Sequence, residues 1–257
     1  MPSPYPALSS RLALVSGATS GIGLACTEAL LAAGARVIAA GRRRERLEAL
    51  AARLGDRVLP LPLDVRDRAA VERAVAALPT AWADVDLLVN SAGLALGLEA
   101  APRASLDEWQ QMIDTNCAGL VTLTRAILPG MVSRDRGDVV NLGSVAGSYP
   151  YPGGNAYGAT KAFVHQFTLN LKADLLGTRV RATCIEPGMV ETEFSVVRFS
   201  GDAEKARGVY AGMKPLAPED VADAVLWCIS RPAHVDVTVL EIMPVAQAPG
   251  GFAVKRQ

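Results

Sequence analysis

The feature that most constrains the fold is a regular alternation of short apolar runs with longer amphipathic ones along the 257 residues. The apolar runs predict seven strands, at 12–16, 37–40, 58–63, 86–90, 138–143, 179–185 and 237–243. The longer runs predict helices, at 21–33, 44–54, 67–77, 106–133, 155–176 and 218–230. Because these strands are continuously apolar, helices must cover both faces of their sheet. The pattern predicts an α/β fold, doubly wound around a seven-stranded parallel sheet.

One late stretch departs from this alternation. Residues 188–215 show no clear period and are longer than an ordinary connection, and such loops in compact domains are usually either functional lids or partly disordered. Since the stretch follows the sixth strand, we expect a lid over a site at the carboxyl ends of the strands. No repeat or linker divides the chain, which predicts a single domain over 1–257 with a C-terminal tail over 244–257.

Composition excludes several classes of function. The chain has 26 basic and 26 acidic residues, so it lacks the basic excess of a nucleic-acid-binding protein. No apolar run reaches the ~20 residues of a membrane span, and the N-terminus lacks a signal peptide, so we expect no membrane partner and a cytoplasmic protein. The four cysteines are far apart and predict buried free thiols. His165 and His234 have no ligand-spaced neighbours in sequence, so no metal site is expected.

A glycine-rich motif, GATSGIG at 17–23, connects the first strand to the first helix. Glycines let the backbone approach a pyrophosphate, and the helix N-terminus supplies free N–H groups and a positive dipole end. A turn of this kind also serves simple packing. The strand before it and the helix after it favour a dinucleotide-binding site.

The end of the second strand indicates which dinucleotide is bound. An acidic residue there would accept hydrogen bonds from a ribose and favour NAD, but this strand ends in Gly41, Arg42, Arg43 and Arg44. Guanidinium groups pair bidentately with phosphate, and cations at a helix N-terminus oppose its dipole and therefore need an anion. The alternative is a solvated basic helix start. The pattern favours NADP.

Two more strand ends carry candidate cofactor residues. Asp64 and Val65 follow the third strand, where Asp64 would either meet an adenine amino group or cap the next turn. The segment 90–93 follows the fourth strand, and its small residues would let the backbone pass close to a cofactor ring. A plain turn is the alternative there.

The candidate catalytic residues lie in the second half of the chain. Ser144 ends the fifth strand, and Tyr157 precedes Lys161 by four residues, which places both on one face of a helix. An ammonium beside a phenol favours the phenolate, so we expect a lowered pKa of Tyr157 and a general acid/base working near neutral to mildly alkaline pH.

These motifs resemble the short-chain dehydrogenase/reductase superfamily over nearly the whole chain. The family's TGxxxGxG motif matches 16–23, its NNAG motif matches 90–93, and its Ser and Tyr-x-x-x-Lys match the residues above. The resemblance adds Asn116 as the fourth catalytic residue and a Pro187-Gly188 turn. Ser16 and Ser91 stand where Thr and Asn are usual, and we expect weakened local hydrogen bonds and retained function.

Within that superfamily, segments 92–97, 112–116, 148–155, 185–194 and 240–244 look like the NADP-dependent serine 3-dehydrogenase group, also described as L-allo-threonine or 3-hydroxy acid dehydrogenases. The resemblance implies a Rossmann fold, NADP, oxidation of the β-hydroxyl of small hydroxy acids, and a homotetramer formed through the helices at 106–133 and 155–176. It also implies that Asn116 interrupts regular helical bonding and anchors a water near Lys161.

The predicted catalytic residues are Asn116, Ser144, Tyr157 and Lys161. The predicted cofactor contacts are Gly17, Thr19, Ser20, Gly21, Ile22, Gly23, Arg42, Arg43, Asp64, Val65, Asn90, Ala92, Gly93, Tyr157, Lys161, Pro187, Gly188, Val190 and Thr192. The predicted substrate contacts are Ser144, Tyr151 and Arg198. Arg198 would pair bidentately with a substrate carboxylate, the alternative being a solvated lid arginine.

The expected substrates are L-serine, L-allo-threonine and acids of the 3-hydroxypropionate type. Two other functions stay open at this point. One is an NADPH-dependent reductase of other carbonyls, such as ketones or 3-oxoacyl groups. The other is a non-catalytic NADP sensor on the same fold, because a fold alone does not fix a function.

Overall fold

Seven parallel strands form the centre of the protein, in a computed structural model that describes residues 8–199 and 201–250. The strands are β1 (Leu12–Ser16), β2 (Arg36–Gly41), β3 (Val58–Pro62), β4 (Leu87–Asn90), β5 (Gly137–Leu142), β6 (Val180–Pro187) and β7 (Val239–Ile242). Their order in the sheet is β3-β2-β1-β4-β5-β6-β7, which confirms the predicted fold class. The chain reverses direction across the sheet between β1 and β4, and such a switch point opens a crevice at the carboxyl ends of the strands.

Helices cover both faces of the sheet. They are α1 (Gly21–Ala32), α2 (Arg44–Leu54), α3 (Arg68–Ala76), α4 (Leu106–Ile113), α5 (Leu120–Ser133), α6 (Asn155–Asp174), α7 (Glu193–Arg198), α8 (Ala203–Gly208) and α9 (Pro218–Ile229). In β2, Val37 and Ala39 belong to the apolar core beneath α1 and α9, whereas Ile38 and Ala40 belong to the core beneath α3 and α5. Every residue in the middle of the strand is therefore buried, which is why the strands read as continuous apolar runs.

The helical stretch predicted over 106–133 is present, and it is not one regular α-helix. A π-helical segment, Asp114–Gly119, separates α4 from α5. A π turn has i→i+5 hydrogen bonds and holds one residue more than an α turn, and such bulges are frequent at functional sites. The segment carries Asn116, in agreement with the expectation that regular helical bonding is interrupted there.

The stretch after β6 is more ordered than its sequence indicated. Two helices of six residues each, α7 and α8, lie within 188–215. Each is capped at its N-terminus, where the Thr192 side chain accepts from Phe194 N and the Asp202 side chain accepts from the backbone of α8. Helices of fewer than two turns are too short to show a helical period, so the pattern was read as aperiodic.

The four cysteines are free, and Cys26, Cys184 and Cys228 are buried as expected, whereas Cys117 is half-buried. Among the described residues, no helix combines the length and apolarity needed to cross a bilayer. The predicted tail over 244–257 is described as far as residue 250, and its remainder lies outside the described residues.

Candidate active site

A cavity of about 630 Å³ lies at the carboxyl ends of the strands. It extends from the glycine motif and Arg42 at one end to Tyr157 and Arg198 at the other, with α7 along one side. Its volume is within the range of small-molecule sites, about 300–1,000 Å³. Most of the predicted cofactor residues line this one cavity.

The glycine motif is tightly packed where it leads into α1. Gly17 has a φ of +69°, and a Cβ there would lie 3.0 Å from the backbone of Ala92. A Cβ at Gly23 would lie 2.4 Å from Gly17 O, so no larger residue fits either position. Ser20 precedes α1 without capping it through its side chain, which leaves the first N–H groups of the helix directed at the cavity. This arrangement fits a pyrophosphate.

The Ser16 hydroxyl joins β1 to the loop after β4. It accepts hydrogen bonds from Ser91 N and Ala92 N, both at 3.1 Å. The oxygen expected from the usual threonine is therefore present. Ala92 and Gly93 line the cavity, whereas the buried Asn90 side chain donates to Thr124 Oγ1 and Asn141 Oδ1 in the interior.

Arg42 and Arg43, the first two arginines after β2, have different surroundings. Arg42 is exposed at the mouth of the cavity. Arg43 donates to Thr19 Oγ1 and Ser20 Oγ, both at 2.7 Å through the same nitrogen, and so braces the glycine motif. Arg42 is therefore the arginine better placed to meet an added phosphate.

Asp64, at the end of β3, is engaged by a neighbouring arginine. Its carboxylate accepts from Arg66 at 2.6 Å, and that hydrogen bond holds the pKa of Asp64 below its usual value. The side chain stays at the cavity edge with Val65. The structure thus favours a charged Asp64 carboxylate. Its contact with an adenine amino group stays a prediction.

Glu193, the first residue of α7, is a functional candidate that only the structure reveals. Its carboxylate accepts from Arg43 at 3.1 Å and from Arg46 at 3.0 Å. The sequence predicts that an anion lies beside the arginines after β2. In this structure the Glu193 carboxylate supplies part of that negative charge. No local signal could have revealed the pairing, because 150 residues separate Glu193 from Arg43.

The predicted catalytic side chains converge at the other end of the cavity. Tyr157 and Lys161 lie on α6, and Ser144 follows β5; all three are buried. Ser144 is hydrogen-bonded to Tyr157, and Lys161 Nζ donates to Leu142 O at 2.7 Å. The Lys161 ammonium lies 5.8 Å from the centroid of the Tyr157 ring. A phenol and an ammonium thus lie next to each other with little exposure to solvent.

Burial governs the pKa values of this pair. It lowers the pKa of Lys161 to about 8 and raises the pKa of Tyr157, although the Ser144 hydrogen bond and the charge of Arg198 oppose that rise. The expectation that Lys161 lowers the Tyr157 pKa was therefore wrong for this structure, because desolvation of the phenolate outweighs the attraction of nearby charge. Tyr157 is held as a neutral phenol, the form that donates a proton to a carbonyl oxygen.

Asn116 connects the π-helical segment to both neighbouring elements. Its amide donates to Leu94 O at 2.8 Å and to Thr160 Oγ1 at 3.0 Å, while its oxygen accepts from Leu94 N. These bonds fix the loop after β4 against α6. The side chain therefore positions the helix that carries Tyr157 and Lys161, and its expected link to a water stays a prediction.

Arg198, the last residue of α7, reaches the catalytic end of the cavity. It donates to the Tyr151 hydroxyl at 2.7 Å, and its guanidinium lies 5.1 Å from the centroid of the Tyr157 ring. Its Nε is buried and finds no hydrogen-bond partner within the described part of the chain. The structure thus brings together the three side chains, Ser144, Tyr151 and Arg198, that were predicted to contact a substrate.

The remaining predicted residues form the lid side of the cavity. Pro187, Gly188, Val190 and Thr192 line it between β6 and α7. A Cβ at Gly21 would lie 3.3 Å from Thr192, so α7 begins against the glycine motif itself. The segment is also held at Val190, whose carbonyl accepts from the Tyr210 hydroxyl at 2.8 Å.

A phosphate loop that opens into the same cavity as a buried tyrosine and lysine suits a dinucleotide cofactor and proton transfer to or from an oxygen beside it. The chain belongs to the short-chain dehydrogenase family, whose sequence profile matches residues 11–202.

Individual relatives are similar over nearly the whole chain. The NADP-dependent 3-hydroxy acid dehydrogenase YdfG of Salmonella typhi is 56% identical over 95% of this chain and 99% of its own. The serine 3-dehydrogenase of Agrobacterium fabrum is 49% identical over 95% of this chain and 98% of its own. The solved closed form of serine dehydrogenase complexed with NADP+ superposes with a TM-score of 0.94 at 55% identity, covering 96% of this chain and all of that one.

Proposed function

We propose that this protein is an NADP-dependent oxidoreductase that transfers hydride between the β-hydroxyl of small 3-hydroxy acids and NADP. The observation that carries the proposal is the guanidinium of Arg198, which lies beside the ring of Tyr157 with a buried, unpartnered Nε in the described residues. A site with a fixed cation next to its acid/base selects a substrate with an anion close to the reacting carbon. The names of the relatives agree with this class of substrate.

The cavity fits NADP on the features of this chain. The glycine motif and the N-terminus of α1 would bind the diphosphate, Arg42 would bind the ribose phosphate, and Lys161 would hold the ribose beside Tyr157. The three residues directly after β2 are all arginines, so none of them carries a carboxylate that would oppose that phosphate. When bound, NADP supplies the acceptor or donor of the hydride.

Tyr157 transfers the proton. In oxidation its phenolate oxygen takes the proton of the substrate hydroxyl, and in reduction its phenol returns a proton to the carbonyl oxygen. Ser144, hydrogen-bonded to Tyr157, donates to the same substrate oxygen and stabilises the negative charge that develops there. The Lys161 ammonium stabilises the phenolate as it forms.

Arg198 binds the carboxylate in this proposal. A 3-hydroxy acid carries its carboxylate two carbons from the carbinol carbon, so the cation must lie near Tyr157 without blocking its hydroxyl. Arg198 approaches the ring face, and its contact with Tyr151 fixes the direction of the guanidinium. We further propose that 188–215 is a lid, because α7 carries Glu193 to the cofactor end and Arg198 to the substrate end.

We also propose a homotetramer formed through α5 and α6. Phe163 on α6 is 42% exposed and stacks on Phe167, with ring centroids 5.9 Å apart. An exposed phenylalanine, stacked on a half-buried one along a long helix, suits a contact with a second copy of the chain. A cytoplasmic location stays a prediction.

The test compares acids with their neutral counterparts. With NADP, the protein should oxidise L-serine, L-allo-threonine or 3-hydroxypropionate, and turnover should fall strongly for the corresponding methyl esters. Arg198→Met should raise the KM for the acid and leave that for the ester unchanged, with Arg207→Met, on the exposed side of α8, as the matched control. Equal kcat/KM for acid and ester would instead indicate a general carbonyl reductase.

A further inference from the structure

A cluster of metal-binding side chains lies behind the catalytic residues, outside the cavity described above. His165 Nδ1 lies 2.6 Å from Glu186 Oε1, and Cys184 Sγ lies 3.6 Å from the same oxygen. One donor atom from each of the three residues lies within 4.8 Å of the other two. Cys184 and Glu186 are buried and His165 is half-buried.

Tertiary packing of α6 on the end of β6 creates this cluster. Cys184 and Glu186 are two residues apart in β6, so their side chains share one face of the sheet. His165 follows Lys161 by one helical turn, just as Lys161 follows Tyr157, so all three share one stripe of α6. The cluster therefore continues the catalytic stripe along the helix.

A second carboxylate stands beside the first. Glu241 of β7 is in register with Glu186 of β6, which places both side chains on the same face of the parallel sheet. The Tyr149 hydroxyl donates to Glu241 at 3.5 Å, and the charges of both glutamates raise the pKa of that phenol. Two adjacent carboxylates repel each other unless a cation or a proton lies close by. Glu186 already contacts His165 and Glu241 is exposed, so this negative charge would attract a cation to the cluster without requiring one.

We propose that His165, Cys184 and Glu186 bind a borderline-soft divalent cation of the zinc class, with a fourth position open toward Glu241 or water. An imidazole, a thiolate and a carboxylate are the ligand types of protein zinc sites, whereas Mg²⁺ and Ca²⁺ take oxygen ligands. Bonds of ~2.3 Å to sulfur and ~2.1 Å to oxygen at a tetrahedral angle separate those atoms by about 3.6 Å. That is the separation of Cys184 Sγ from Glu186 Oε1.

Binding requires a small rearrangement and the release of protons. The imidazole and the carboxylate now share a hydrogen bond, and a cation between them must take the place of that proton and widen their 2.6 Å separation by less than about 1 Å. The Cys184 thiol also gives up its proton to solvent, because the thiolate is the form that binds metal. No oxidant or reductant is needed, because zinc keeps its charge throughout.

The position of the cluster gives the cation a consequence for catalysis. Cys184 is close enough to Lys161 for their charges to interact. Zinc bound by the Cys184 thiolate and the Glu186 carboxylate forms a site of zero net charge in place of the negative charge of Glu186, so the Lys161 ammonium loses a stabilising negative charge. A bound cation would therefore slow turnover without occupying the substrate cavity, which makes the cluster a candidate inhibitory site.

The experiment uses the purified full chain after treatment with a chelator. Co²⁺ replaces zinc as a spectroscopic probe, since a thiolate bound to Co²⁺ gives an intense near-ultraviolet charge-transfer band, and Zn²⁺ added afterwards displaces it and reports the affinity. The wild-type chain should show that band with one Co²⁺ per chain. Cys184→Ser should abolish it, whereas Cys117→Ser, at the half-buried thiol elsewhere, should retain it.

If Cys184→Ser does not fold, two further variants still test the site. His165→Asn and Glu186→Gln should each weaken Zn²⁺ binding about tenfold or more, whereas His234→Asn, at an exposed histidine remote in sequence, should not. Circular dichroism shows which variants are folded. A wild-type chain without the band, or a folded His165→Asn chain with unchanged affinity, would overturn the proposal.

Discussion

The two ends of the cavity use charged side chains in opposite environments. At the cofactor end, the ion pair of Arg43 with Glu193 leaves the two side chains 41% and 51% exposed. At the catalytic end, Tyr157 and Lys161 retain only 9% and 7% of their accessible surface. Ionisable side chains therefore act through screened attraction at one end and through desolvation at the other.

This difference sets the size of the effects that each end can produce. Ion pairs in water contribute about 0–1 kcal/mol, because solvent and salt screen them. Burial instead shifts the pH at which a group loses its proton, as the pKa of Lys161 at about 8 shows. We therefore expect variants of the catalytic end to change turnover by orders of magnitude, and variants of the cofactor end to change binding by smaller factors.

Replacement of Tyr157 by Phe should give the largest effect. It removes the oxygen that carries the proton, and loss of a positioned acid/base costs about 10²–10⁴-fold in kcat. NADP binding, measured by fluorescence titration, should stay within about twofold, because the ring remains. A variant that keeps a tenth of the wild-type kcat would remove Tyr157 from this role.

Replacement of Arg42 by Ala should weaken the binding of NADP and leave the catalytic step unchanged. A charge-assisted hydrogen bond to phosphate contributes roughly 1.5–3 kcal/mol, so the KM for NADP should rise about 10–150-fold while that for NAD changes little. Arg44→Ala is the matched control, since Arg44 pairs with Glu48 on the exposed face of α2. Wild-type enzyme that used NAD as well as NADP would contradict the assignment.

The pH dependence should follow the buried lysine. Reduction of a carbonyl needs Tyr157 as the phenol and Lys161 as the ammonium. Burial raises the pKa of the first and lowers that of the second to about 8, so the ammonium is the form lost first as pH rises. The rate of reduction should fall by about tenfold per pH unit above pH 8. In Lys161→Arg, which stays charged, any residual activity should keep its rate to higher pH.

Replacement of Glu193 by Gln should give the smallest effect. It removes an exposed ion pair of about 1 kcal/mol that ties α7 to Arg43 and Arg46, so the KM for the hydroxy acid should rise by about two- to fivefold. The difference from wild type should disappear in high salt. Glu191→Gln, two residues earlier and exposed, is the control and should have no effect.

Local pattern in the sequence determined the elements and the family. The strands lie within about two residues of their predicted bounds because a strand buried on both faces needs apolar residues at every position. The glycine motif, Ser144 and the Tyr157–Lys161 pair were recognisable because each depends on spacing within one turn or one helix. The prediction of the family and of the doubly wound parallel sheet is confirmed.

Tertiary structure alone decided the features that depend on distant segments or on solvent. Glu193 meets Arg43 across 150 residues, and His165 meets Cys184 and Glu186 only because α6 packs on β6. The direction of the Tyr157 pKa shift was wrong from sequence because a helical spacing reveals the neighbouring lysine but not the loss of water around the phenol. Spacing describes neighbours along the chain, whereas desolvation and long-range pairing are set by everything that packs around a group.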